Sequence, residues 1–368
     1  MIAEPRSSVG QDPCDNCLFD FWGIGVRITG DVPRVLDDIR HDFSFFALKQ
    51  LPQAPDITIT IYQSVPPYDE CPAVSASLVQ PHFVAFGRGA QRWVDYQGVA
   101  LSHWNFKSET GTLWSTDLDL LHEKLYLLVH SRVGELLDRR GIHRIHAAGL
   151  AVDGCAQLCL LPSGGGKTTL ALAALALPGV LLLSDDTPLV TRKGAVLPFP
   201  VRIGTKQQPV AIEERHVRRF VRQEHGEKWL IDISAFQDHI AMLPVRPGNI
   251  ILGNRLLRGE AAIVRVSRRH AMGELFRSVV VGVGLPQLVE YFLRGDIVDV
   301  FSKMRLVISR LLACTMLLAR SRVFRFDLSR DQTGNAEVLR RFLEGLQSVQ
   351  PSGAKDPDIR KTHKGVAQ

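Results

Sequence analysis

The run Ser163-Gly164-Gly165-Gly166-Lys167-Thr168-Thr169 sets three glycines directly before a lysine and two hydroxyl residues. Successive glycines let a backbone turn its N–H groups inward and form a cup for an anion. A helix that starts at Lys167 points its positive end at the same place. In such a loop the lysine reaches the terminal phosphates of a nucleotide, and the Thr168 hydroxyl suits a Mg2+ ligand. The expected cofactors are therefore ATP and Mg2+. One position departs from the usual G-x-x-x-x-G-K-[ST] spacing: Leu161 stands where the first glycine falls, and Pro162 follows it. The approach to the loop must use a different turn.

Asp185-Asp186 is the second group, 18 residues beyond the lysine. A helix of about ten residues after the loop descends roughly 15 Å. A strand of four or five residues, at about 3.3 Å each, climbs back nearly as far. If the two form a βαβ-like crossover, the carboxylates arrive level with Lys167. One would then hold Mg2+ and the other would accept a proton from a hydroxyl nucleophile. Asp185 is paired with Thr168 as the metal candidate, although spacing does not decide the roles. A surface Asp-Asp turn capping the strand is the plainer alternative. His146 lies among Ile145, Ala147 and Ala148, where a buried imidazole needs a partner. A nearby aspartate would serve, and so would any core hydrogen bond. Arg202 and Lys206 are weaker candidates for steadying a transferring phosphoryl group, since a solvated basic loop reads the same way.

These residues need elements to position them. The pattern predicts a strand from Phe21 to Thr29, a helix from Val35 to Phe45, and an alternating strand from Ile57 to Tyr62. Glycine-punctuated segments between Phe83 and Trp114 predict an antiparallel meander. Leu121, Leu125, Leu128, Leu136 and Leu137 recur at helical spacing between Asp117 and Arg140. Short strands at Ile145–Val152 and Ala156–Leu161 meet at the Asp153-Gly154 turn. A helix from Lys167 to about Leu177 and an apolar strand, Val180–Leu183, follow. Further strands are expected at Ala195–Pro198, Asn249–Leu252 and Ala261–Val266, and helices at Gln287–Phe292, Val298–Arg320 and Ala336–Gln347. The domain reading is disordered 1–16, an N-terminal α+β module over 17–115, a nucleotide-binding domain over 116–350, and a disordered tail over 351–368. The module shows no catalytic constellation, which leaves acceptor recognition as its candidate role.

Composition narrows the class. The chain has 368 residues, 45% hydrophobic and 22% charged, with a net charge of +6. That is ordinary for a globular chain with a sizeable core. The basic residues come singly or in pairs, so no nucleic-acid partner is expected. The apolar run Leu311–Ala319 is too short for a bilayer, which needs roughly 20 residues, and reads as a buried helix; no membrane partner is expected. Six cysteines without a regular framework, and no signal segment, point to the cytoplasm. Cys14-Asp-Asn-Cys17 has the spacing of half a zinc site but lacks a second pair.

Taken in order, His146-Ala-Ala, Ser163-Gly-Gly-Gly-Lys-Thr-Thr and Asp185-Asp186 resemble the core of the HPr kinase/phosphorylase family, which shares its nucleotide site with phosphoenolpyruvate carboxykinase. The resemblance covers roughly residues 117–345, with its specific motifs between His146 and Asp186. It implies an α/β chain: an N-terminal α+β module followed by a P-loop kinase domain of that type. It also implies a loop that holds ATP and Mg2+, a histidine behind the acid pair, and an aspartate that activates a serine hydroxyl. Pro198-Phe199-Pro200-Val201-Arg202, with Lys206 beyond, is similar to a stretch common in such proteins. The Glu-[IV]-Arg-Gly-Leu-Gly signature tied to phosphorolysis is absent from this sequence. The closer likeness is to HPr-kinase-related proteins of peptide-modification gene sets, including lasso-peptide clusters. That implies a serine or threonine of a protein or peptide other than HPr as acceptor, and a possible homo-oligomer. A nucleotide sensor without phosphotransfer and a small-metabolite kinase remain the alternatives.

Overall fold

The computed structural model describes residues 16–161, 165–209, 212–222, 226–281 and 297–347. The chain is mixed α/β; the described residues form two larger sheets and two small ones.

The first large sheet contains β1 (Asn16–Phe21), β2 (Ile24–Gly30), β3 (Ala47–Leu48), β4 (Ile57–Tyr62), β5 (Ala76–Gln80), β6 (Phe83–Arg88), β7 (Gln91–Asp95), β8 (Ala100–Asn105) and β9 (Thr110–Ser115). Their order is β3-β1-β2-β4-β9-β8-β7-β6-β5. The single strand expected from Phe21 to Thr29 is instead the end of one strand, a tight turn, and the next strand. Trp22 and Gly23 both take positive φ, and the Gly23 N–H bonds the Asp20 carboxylate, so the chain reverses there. Two helices cover one face: α1 (Pro33–Asp42), which begins with the proline its first turn favours, and α2 (Leu118–Arg139). The Asp117 carboxylate caps α2, accepting from the N–H groups of Asp119 and Leu120 at 3.0 Å each. The leucine spacing read from the sequence buries Leu121, Leu125, Leu128 and Leu137 in the same core as Phe19, Ile28 and Ile59. This helix therefore shares its core with the first sheet.

The second large sheet contains β11 (Ala148–Val152), β12 (Cys155–Leu160), β13 (Val180–Ser184), β19 (Arg246–Arg255), β20 (Ala262–Val266) and β21 (Arg322–Leu328), in the order β13-β11-β12-β19-β21-β20. β12, β19 and β21 run parallel, while β11 is antiparallel to both β12 and β13. Helices pack on both faces. On one side α3 (Lys167–Leu175) and α6 (Gln332–Gln347) bury Leu170, Leu175, Leu339 and Leu343. On the other, α4 (Arg269–Leu275) continues into a π-helical turn at Phe276–Val281 and lies beside α5 (Ile297–Arg320), burying Ala271, Leu275, Ala313 and Leu317.

Two small sheets complete the described chain: β10 (Ile142–Arg144) with β14 (Leu189–Thr191) and β15 (Val196–Leu197), and β16 (Ile203–Thr205) with the hairpin β17 (Val217–Arg222) and β18 (Gly226–Ile231). The run Leu311–Ala319, read as a buried helix, is only half buried: Ala313, Cys314 and Leu317 face inward, and Leu311 and Leu312 face solvent. No helix among the described residues is long and apolar enough to cross a membrane. Cys17 is buried and its thiol donates to the Leu36 carbonyl. Cys14, the segment 1–15, the expected helix at Gln287–Phe292 and the tail 351–368 lie outside the described residues.

Candidate active site

The crossover posited from the sequence is present. β12 leads to the glycine run, α3 follows it, and β13 returns parallel to β12 with β11 between them. Ser163 and Gly164 lie outside the described residues; Gly165 and Gly166 are within them. Gly166 opens α3 in the left-handed conformation, at φ 93°. A Cβ there would meet no atom within 4 Å, so conformation rather than crowding calls for glycine. From this point the helix places Lys167 inward, leaves Thr168 half-buried and leaves Thr169 exposed.

Lys167 is buried. Its ammonium donates to the Leu161 carbonyl at 3.0 Å and to His146 Nε2 at 2.9 Å, and lies 3.6 Å from the Asp186 carboxylate. An ammonium has only donors, so Nε2 must accept and the ring of a neutral His146 carries its proton on Nδ1. That Nδ1 is 3.3 Å from Asp186 Oδ1, yet it is buried without a well-aligned hydrogen bond. The distance places the two groups together; the alignment leaves the Nδ1–H free to be engaged by a small turn of Asp186.

His146 does not lie on a continuous strand, as its apolar neighbours suggested. β10 and β11 belong to different sheets, and His146 sits in the bend between them. The bend is fixed by the backbone: His146 N–H donates to Ser278 O at 3.3 Å, and Ala147 N–H to Asp186 O at 3.0 Å. These bonds tie the histidine to the π-helical turn on one side and to the acid pair on the other.

The two aspartates differ in setting. Asp185 is buried, with the Thr168 side chain close enough to favour its charged form; the Asp186 side chain is 36% exposed. Burial, and then the neighbouring Asp186 charge, raise the Asp185 carboxyl to about 8. Burial also lowers the Lys167 ammonium, against the opposing pull of Asp186, Asp185 and Glu274. Glu274 was not foreseen. It lies near the end of α4, just before the turn whose Ser278 carbonyl accepts from the His146 N–H. No local pattern could have exposed it, because the contact of this segment with His146 joins parts far apart in the chain.

Arg202 and Lys206 stand apart from this group. Arg202 is buried and committed elsewhere: it donates to Asp42 at 2.6 Å, touches His122 Nε2 at 3.1 Å, and stacks on Tyr126 at 3.7 Å. Lys206 is exposed in the bend after β16. A cleft of about 260 Å3, lined by Arg34, Asp38, His122, Arg218 and Phe220 among others, shares no residue with the Lys167 group.

The arrangement offers a fixed cation at a helix start, a shielded carboxyl beside a hydroxyl, and a second, more open carboxylate backed by an imidazole. Thr168 and Asp185 would offer a hydroxyl and a carboxylate, the hard oxygen donors that a Mg2+ ion takes. Among the described residues no group of three or more His, Cys, Asp and Glu side chains is gathered to hold a metal. Searches against models of protein families and against curated proteins return no match for the chain.

Proposed function

We propose that the chain is an ATP-dependent phosphotransferase that phosphorylates a serine or threonine hydroxyl of a protein or peptide. One observation carries the reading: Lys167, at the start of a glycine-led helix, His146 and Asp186 lie within 3.6 Å of one another although they come from three separate segments. The order of these residues along the chain, which resembles that of HPr-kinase-related proteins, points to the same chemistry.

Phosphoryl transfer asks a protein mainly for positioning and charge neutralisation. The backbone of the glycine run and Lys167 would take the β- and γ-phosphates. To do so Lys167 must exchange His146 and the Leu161 carbonyl for phosphate oxygens. Thr168 and Asp185 would hold Mg2+, whose charge favours ionised Asp185 and offsets that of the triphosphate. Asp186 is the group left to face the acceptor. It accepts the hydroxyl proton as the acceptor oxygen bonds to the γ-phosphorus and the bond to the bridging oxygen of ADP breaks. His146, freed at Nε2, stays behind Asp186 and orients it through Nδ1–H.

Transfer of label from radioactive ATP with Mg2+ to peptides encoded beside the gene tests the proposal. Wild type should label a serine or threonine. Lys167→Ala should lose nucleotide binding and labelling together. Asp186→Asn should keep nucleotide binding while transfer falls by about 10²–10⁴. Tight nucleotide binding by wild type with no transfer to any acceptor would instead indicate a sensor.

A further inference from the structure

The side chains of α5 are arranged against expectation. Ser309 and Arg310 are buried, Arg310 bonded to Asp138 at 2.6 Å and to the Val280 carbonyl at 2.9 Å. Met304, Val307, Ile308, Leu311 and Leu312 face outward. Their spacing of three, one, three and one residues makes a single stripe along the helix. Beside it, α4 and the π-helical turn expose Met272, Phe276 and Val281. These two neighbouring helices hold eight of the eighteen exposed large apolar residues described, each between 40% and 60% exposed. Monomeric proteins seldom gather so much apolar surface in one place.

We infer that this face of α5 and α4 is the interface of a homodimer, with the two α5 helices crossing antiparallel at Ile308. Two features select a second copy as the occupant. Within the stripe, Met304 and Leu312 lie one turn to either side of Ile308. A two-fold axis there sets each against its counterpart, which is the self-complementarity an isologous contact requires. The area also suffices. At about 180 Å2 for a fully exposed large apolar residue, the eight contribute roughly 700 Å2 per copy. A pair would bury about 1,400 Å2, within the ~1,200–2,000 Å2 of stable interfaces. Because the π-helical turn also contacts His146 through Ser278, the partner would stand beside the candidate active site.

Sedimentation of the full chain from about 1 to about 100 μM should show a dimer for wild type, and a dimerisation constant weakened by at least about a hundredfold for Ile308→Glu. Ile308 is exposed, so thermal unfolding of the variant at low concentration should match wild type. Ile308→Cys should form a reducible self-linked dimer under mild oxidation that wild type does not form. A wild-type monomer throughout the range overturns the inference. Flotation of that monomer with phosphatidylglycerol vesicles would reassign the face to a membrane surface. A dimer that survives Ile308→Glu, or an Ile308→Cys variant that stays dimeric without cross-linking, places the interface elsewhere.

Discussion

Asp185 is a buried carboxyl next to a second carboxylate, and the fold bears the cost of that pairing. Its proton affinity in the fold, near 8, lies above the 3.8 of a free aspartate. Between those values the folded chain holds a proton that the unfolded chain has released, so stability falls as pH rises through this window. Asp185→Asn removes the titration. The variant should match wild type near pH 4 and exceed it at pH 8.5 by about 1–3 kcal/mol in urea unfolding, while losing transfer. An equal difference at both pH values would show that Asp185 does not titrate across the window. The residues of this group were legible because type, order and spacing together restricted them. Arg202 was misplaced for the opposite reason. Its partners Asp42 and His122 lie 160 and 80 residues away, and no local pattern reports such a pairing.

Elements were legible where one period dominated. α2 has a capping aspartate and a leucine stripe, and both ends were found within a residue. The β17–β18 hairpin was missed because Val217-Arg218-Arg219-Phe220-Val221-Arg222 carries three arginines, and Arg218 is there to pair with Asp42 at 2.7 Å. β21 was hidden likewise by Arg322 and Arg325. Glycines offer a sharper test at this scale, because two of them are required for different reasons. At Gly166 the φ of 93° is the constraint and space is open. Gly166→Ala should cost about 1–2 kcal/mol and weaken nucleotide binding. At Gly111 a Cβ would fall 2.1 Å from the buried Trp104 ring. Gly111→Ala should cost about 1–3 kcal/mol through overpacking and leave nucleotide affinity unchanged at temperatures where the protein is folded. Titrations with a fluorescent ATP analogue alongside urea unfolding separate the two. A loss of affinity in Gly111→Ala at full folding would mean that the first sheet shapes the site.

At the scale of the whole molecule, the sequence suggested two parts, and the packing joins them. Leu189, Leu197, Phe199 and Val201, all downstream of the acid pair, lie in the core of the first sheet. Trp22 Nε1 donates to the Pro198 carbonyl at 2.8 Å, and His41 and Ser44 hold Asp232. Asp42 is fully buried between them. Burial alone would raise its carboxyl, but Arg202, His122 and Arg218 overcome that and hold it well below the ordinary range. Removing one member of such a cluster leaves uncompensated charge inside, at about 3–5 kcal/mol. Deleting residues 1–115 does more: it takes Asp42 from two arginines and uncovers the apolar side of α2. The truncated chain should therefore aggregate or unfold without a cooperative transition, and lose nucleotide binding with everything else. If it instead unfolds cooperatively and binds ATP as tightly as the full chain, the first sheet is a separable unit. Acceptor recognition would then become its most direct role, and loss of peptide labelling with ATP binding intact would demonstrate it.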